Sequence, residues 1–179
     1  MTRDETKKIV MTIDVLYPNW NPKDLTFLLN AWTTMLVDYA YEDIERALRT
    51  FVSTDQKGFA PSVGQLINCA HIADRKDEIP EMEAWSMVSK AISNGIYNSA
   101  EEFRKLPEVV REAVGNAQNI RQWAMMDIET VQSVVHSNFL RAYKAVVERR
   151  NEYKKLPSDV RQRISQAETK RIQTGHRPE

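Results

Sequence analysis

The sequence predicts an all-α protein, and three observations carry that expectation. Glycine and proline are scarce, with 5 and 7 among 179 residues. Apolar residues recur at three- and four-residue spacing along most of the chain, and no stretch alternates apolar and polar residues for long enough to form a strand. The prolines sit between the periodic runs, where they can end or start a helix but not continue one. The expected architecture is a small N-terminal four-helix domain followed by a helical extension with one long helix and a basic C-terminal helix. The expected division is a domain over residues 1–77, a second helical domain over 81–173 and a frayed tail at 174–179.

The first helix is expected from near Thr2 to Tyr17, with Ile9, Val10, Ile13 and Leu16 as its buried stripe and Pro18 as its stop. In Asn19-Trp20-Asn21-Pro22, Asn21 reads as an N-cap with Pro22 at the first helical position. The second helix then carries Leu25, Leu28, Leu29, Trp32, Met35 and Leu36. In the third, Ile44, Ala47, Leu48, Phe51 and Val52 form one stripe, opposed by Glu42, Asp43, Glu45, Arg46 and Arg49. Lys57-Gly58 ends that run. Ser62 and Gln65 read as a capping box opening the fourth helix, with Phe59 expected to fold over Val63, Leu66 and Ile67.

A charged stretch, Asp74 to Glu78, followed by Pro80, marks the expected domain boundary. Beyond it a helix from Glu81 to Ile96 places Met82, Trp85, Val88 and Ile92 on one face and ends at Asn94-Gly95. Ser99 and Glu102 read as a second capping box, opening a short helix that stops at Leu106 before Pro107 starts another. The longest helix is expected from about Asp127 to Lys155, roughly 40 Å. Its stripe is Val131, Val135, Phe139, Ala142 and Val146, widened by Ile128, Tyr143 and Val147. A final helix starts at Ser158. EFRKLPEVVR at 102–111 and EYKKLPSDVR at 152–161 share Lys-Leu-Pro and Val-Arg in register, which reads as a reused helix-Pro-helix corner.

The formal net charge of zero hides a polarity. Residues 1–140 carry 14 Lys and Arg against 20 Asp and Glu, whereas residues 141–179 carry 11 against 5. A cationic end attracts nucleic acid or an acidic protein face. The candidate partner or DNA-binding surface is therefore Arg141, Lys144, Arg149, Arg150, Lys154, Lys155, Arg161, Arg163, Lys170 and Arg171. The bland alternative is a solvated helix face, which the interspersed Glu148, Glu152, Asp159 and Glu168 favour. Trp20 and Trp123, at connections and not on core stripes, are candidate protein-contact anchors.

Other chemistry has little to stand on. Cys69 and His71 lie on different helix faces and have no second Cys/His pair at zinc spacing, so no metal is expected. There is no phosphate-binding glycine loop, nucleophile elbow or HExxH motif, so neither a catalytic residue nor a cofactor is expected, and the chain reads as a non-enzyme. A single cysteine excludes an internal disulfide. The charged N-terminus is not a signal peptide and no run reaches about 18 apolar residues, so a soluble protein in the cytoplasm of a bacterial host, with no membrane contact, is expected.

The region from Ile9 to about Ile72 resembles the replicative-helicase loader and inhibitor proteins of tailed phages that infect Gram-positive bacteria. The resemblance lies in Tyr17-Pro18, Trp32 with Leu36, Asp38-Tyr39, Tyr41-Glu42 leading into Ala47-Leu48, and the FAPSVGQLI segment from Phe59 to Ile67. It implies a non-enzymatic adaptor in phage DNA replication that binds a hexameric DnaB-type helicase, or its loader, and loads or inhibits it, delivering it to an origin marked by an initiator protein. In that family the helicase contact is generally made by a flexible C-terminal portion, whereas residues 81–172 here read as ordered and helical. The residues alone leave two further classes open: a DNA-binding replisome organiser that tracks phosphates with its basic C-terminal helices, and a structural or virion protein.

Overall fold

The structure, a computed structural model, describes residues 1–73 and 78–173. Its elements are α1 (Arg3–Leu16), α2 (Leu25–Met35), α3 (Tyr41–Thr54), α4 (Val63–Ala73), α5 (Glu81–Ser93), α6 (Gly95–Lys105), α7 (Glu108–Val114), α8 (Ala117–Ala124), α9 (Ile128–Thr130), a π-type turn (Val131–Val135), α10 (His136–Lys155) and α11 (Ser158–Gln173). The described residues contain no strand, and the chain is all-α. Two compact units result, one of Met1–Lys76 with Lys155–Glu179 and one of Asp77–Lys154.

In the first unit α1 opens with a capping box. The Thr2 amide donates to Glu5 Oε2 at 2.7 Å and the Glu5 amide to Thr2 Oγ1 at 3.3 Å, which satisfies donors that the helix leaves orphaned. Ile9, Val10 and Ile13 are buried, but Leu16 is 47% exposed. Tyr17 takes its place, because the backbone leaves helical geometry there ahead of Pro18 and turns the ring inward. The Tyr17 hydroxyl then donates to Asp55 Oδ2 at 3.1 Å.

Helix α2 starts three residues later than the Asn21-Pro22 pair suggests. Asp24 is the cap, its Oδ1 accepting from the Phe27 amide at 2.9 Å. A carboxylate at this position meets both the orphan amides and the positive end of the helix dipole. Leu29, Trp32 and Leu36 are buried, whereas Met35 and Leu25 face solvent.

Helix α3 buries Ile44, Ala47 and Leu48 with Phe51 and Val52 beside them. Its outer face pairs Asp43 with Arg46 at 2.7 Å and Glu45 with Arg49 at 3.3 Å. Asp55 also gathers the Lys57 and Gly58 amides, and Gly58 turns the chain with φ +71°, a value that favours glycine. Ser62 and Gln65 form the capping box of α4. Phe59 does not fold over Leu66. It is 74% exposed, because Ala60 and Pro61 occupy the inward positions of that short segment. Leu66, Ile67 and Ala70 complete a core drawn from α1 to α4.

In the second unit α5 buries Ala84, Val88, Ala91 and Ile92, while Met82 points outward. The chain does not loop at Asn94-Gly95. A new helix starts at Gly95, kinked at Asn98, and is already running through Ser99, so Ser99 does not cap its start. Glu102 accepts instead from Lys105 Nζ at 2.9 Å. Gly95 is buried against α8, and a Cβ there would stand 2.7 Å from Ile120 Cγ2. Only glycine allows that approach.

Asn116 caps α8 and Asp127 caps α9. The π-type turn at Val131–Val135 then resets the helical phase, since each π step spans one residue more than an α step. Val135, Phe139, Tyr143 and Val146 are buried, but Ile128, before the turn, is 72% exposed and does not widen the stripe. Trp85, Phe139 and Tyr143 form a chain of ring contacts at 5.7 and 5.8 Å. The Tyr143 hydroxyl donates to the Ile79 carbonyl at 2.7 Å.

The two related corners share one local geometry. Arg111 donates its amide to the Pro107 carbonyl at 2.9 Å, and Arg161 donates to Pro157 at 3.0 Å. In each, proline stands just before the helix, where its missing N–H costs nothing.

Candidate functional site

The basic residues singled out by sequence fall in different units: Arg141, Lys144, Arg149, Arg150 and Lys154 in the second, Lys155, Arg161, Arg163 and Lys170 in the first. The side chain of Arg171 and the tail 174–179 lie outside the described residues, as does most of the 74–78 charged stretch.

On α10 two arginines are already engaged. Arg150 Nε donates to Glu112 Oε2 at 2.7 Å and its NH2 group pairs with Glu108 at 3.1 Å. Arg149 donates to Glu112 Oε1. Burial pushes the Glu112 carboxyl upward, but the hydrogen bonds from Arg150 and Arg149 outweigh it and hold the group below its ordinary value. Arg141 bonds only neutral oxygens, Asn138 Oδ1 at 2.6 Å and the Ser137 carbonyl, so its charge stays uncompensated by these contacts. Lys144 and Lys154 are exposed, and Lys154 rims a cleft of about 210 Å³ bounded also by Ile79, Val109 and Tyr143.

On α11, Arg163 reaches Asp159 only at 3.9 Å. Arg161 is half-buried and its charge acts on Asp38. The same Asp38 accepts from the Ser158 amide at 2.6 Å and the Ser158 hydroxyl at 2.8 Å. These two bonds, then Arg161, hold the Asp38 carboxyl below its usual range.

The tryptophans differ from each other. Trp20 is half-buried and tilts against Trp32 with centroids 6.4 Å apart, so much of its ring packs on its own domain. Trp123 lines an open cavity of about 350 Å³ with Trp85, Ile92, Ile96, Met126 and Val131. Every lining residue of that cavity is uncharged. The buried Nε2 of His136, whose ring lies 4.7 Å from that of Trp85, has no hydrogen-bond partner.

Several exposed apolar side chains are missing from the sequence-derived set. Phe27 is 73% exposed, with Leu25 and Met35 on the same helix and Phe59 in the α3–α4 connection. A signal for α2 is present in the sequence, since its eleven residues contain no charge. An uncharged helix with one buried stripe must leave apolar or neutral groups facing outward.

Among the described residues no group of His, Cys, Asp and Glu is arranged to hold a metal ion. Burial pushes the Cys69 thiol up, away from thiolate reactivity. The Tyr39 hydroxyl and His71 Nε2 lie 3.0 Å apart. No described helix is long and apolar enough to cross a membrane.

Residues 1–67 match the family model for the N-terminal domain of a phage helicase loader/inhibitor. That match ends inside α4 and takes in α1, α2 and α3 whole. No curated protein and no solved structure matches the chain.

Proposed function

We propose that this chain, whose residues 1–67 match a phage helicase loader/inhibitor N-terminal domain, is a non-enzymatic DNA-replication adaptor that binds a hexameric DnaB-type helicase, or the loader of that helicase, and loads or restrains it in the bacterial cytoplasm. The observation that carries the reading is the coincidence of the match with a domain that has its own core. Ile9, Ile13, Leu29, Trp32, Leu36, Ile44, Leu48 and Leu66 all lie within the matched residues and within one cluster.

The chain offers two kinds of contact. The neutral outer side of α2 and the exposed Phe59 suit an apolar patch on a partner, where aromatic side chains contribute most. The cations Arg141, Lys144 and Lys154, with Arg163 and Lys170 on α11, suit an acidic rim and would speed encounter. An origin-bound initiator is a further partner in this reading.

The alternative, a replisome organiser gripping DNA phosphates, draws on the same cations. The engagement of Arg149 and Arg150 by Glu112 and Glu108 favours protein contact over phosphate tracking, because two of the cations would first have to exchange partners.

Size-exclusion chromatography with a DnaB-type helicase, with and without an ATP analogue and at low and high salt, tests the proposal. Co-elution that needs nucleotide is the expected result. Failure to co-elute under every condition, together with retardation of DNA by the protein alone, would move the assignment to the organiser.

A further inference from the structure

Helix α11 belongs to the first unit without contributing to its core. The core cluster of that unit is complete at Ala70, and the partly buried residues packed on it end at Cys69 or earlier in the chain. No described side chain of α11 is buried; Val160, Arg161 and Ile164 are half-buried and the others are exposed. The hydrogen bonds that fasten its first residue run to one side chain in the α2–α3 turn. Asp38 accepts from both the amide and the hydroxyl of Ser158, with Arg161 one turn further on beside the same carboxylate.

This is capping supplied from another element. The Ser158 amide is one of the donors that a helix start leaves without an internal partner, and Pro157 before it has no N–H to offer. While α11 is docked, Asp38 satisfies that amide and sets a negative charge at the positive end of the helix. Once α11 leaves, the start of the helix and Arg161 lose the same partner together. Docking and the integrity of the first turn are therefore coupled through one carboxylate.

We propose that α11 is a latched arm, held on the N-terminal domain by Asp38 and able to swing free without disturbing the core of α1 to α4, so that its cations become available to an acidic partner surface that takes over the role of Asp38. Its purpose rests on the adaptor reading above, whereas its existence does not. A partner carboxylate competes with Asp38 for the Ser158 amide and hydroxyl and for Arg161, so binding and release become one exchange.

The test uses the full chain with Cys69→Ser and spin labels at Thr34→Cys on α2 and Gln166→Cys on α11, both exposed positions. Double electron–electron resonance should give one narrow distance when Asp38 is intact. Asp38→Ala should shift the docked-to-free ratio about tenfold toward long, broad distances, the loss expected of a strong cap. Ser158→Asp should do the same with the domain's own sequence intact, by setting two carboxylates against each other. Unchanged distances in both variants overturn the latch. Helicase co-elution is read separately and should strengthen in Asp38→Ala. Helicase binding that is the same with or without Asp38 refutes the exchange of partners. Absence of helicase binding in every variant, while the distances still move, removes the adaptor reading and upholds the latch.

Discussion

Arg150 Nε and the Glu112 carboxylate meet at 2.7 Å, and Arg149 occupies the other oxygen of the same carboxylate. One residue of α7 thus engages two consecutive arginines of α10. The glutamate side chain is about one-third exposed, so solvent screens the pair and its net worth is modest.

Replacing Glu112 with Gln should cost about 0.5–1 kcal/mol of local stability. Amide hydrogen exchange in α7 and α10 should speed up accordingly. The released arginines should also steepen the salt dependence of any DNA binding by about one to two phosphate contacts. An unchanged slope would mean that these arginines do not face nucleic acid even when freed.

The same carboxylate sets a pH dependence. Because Arg150 and Arg149 lower the folded-state value of Glu112, its contribution is fully present above the ordinary glutamate pKa of about 4.3 and is lost as pH falls through the depressed folded value. Glu108, which shares Arg150, faces the same site. Protection of α7 and α10 should therefore fall in acid below about pH 4 in the native chain. In Glu112→Gln this component should be missing from the profile.

Gly95→Ala should destabilise the second unit by about 1–3 kcal/mol, the usual cost of overpacking. The added Cβ would meet Ile120 Cγ2 at 2.7 Å and the Ile120 carbonyl oxygen at 3.1 Å, and the carbonyl belongs to a helix backbone that cannot step aside. Thermal denaturation followed by circular dichroism measures it; a rise in stability would show that α6 and α8 slide apart freely.

Tyr143→Phe isolates one hydrogen bond. It leaves the Ile79 carbonyl without the hydroxyl that reaches it at 2.7 Å while the stacking on Phe139 is kept, so a loss of about 1 kcal/mol is expected. Chemical denaturation of the variant beside the native chain gives the value.

Phe27→Ser and Phe59→Ser separate folding from partner contact. Both rings are about three-quarters exposed, so stability should change by no more than about 0.5 kcal/mol. Loss of helicase co-elution by either variant, at unchanged melting temperature, would place the contact on the N-terminal domain. Retention in both would leave the cationic residues to carry it.

Most of the secondary structure was legible because it follows from local rules. Helical spacing of apolar residues, the Ser62-Gln65 box and the stops at Pro18, Pro107 and Pro157 act within a few residues, and the helices lie where those signals put them. The resemblance to a helicase loader also rested on packing residues of α1 to α4, which the family match covers up to residue 67. What sequence could not decide was which of two adjacent apolar residues goes inside, or which charges meet. Tyr17 displaced Leu16, and Pro61 turned Phe59 outward, because a single step off helical geometry reverses what faces the core. The π-type turn at Val131–Val135 did the same to Ile128. A continuous basic run along the chain became Arg149 and Arg150 on glutamates of α7 in one unit, and Ser158 on Asp38 120 residues away in the other. Charge totals are a property of the sequence, but electrostatic partners are chosen by distance, and only the folded chain sets distances between residues so far apart.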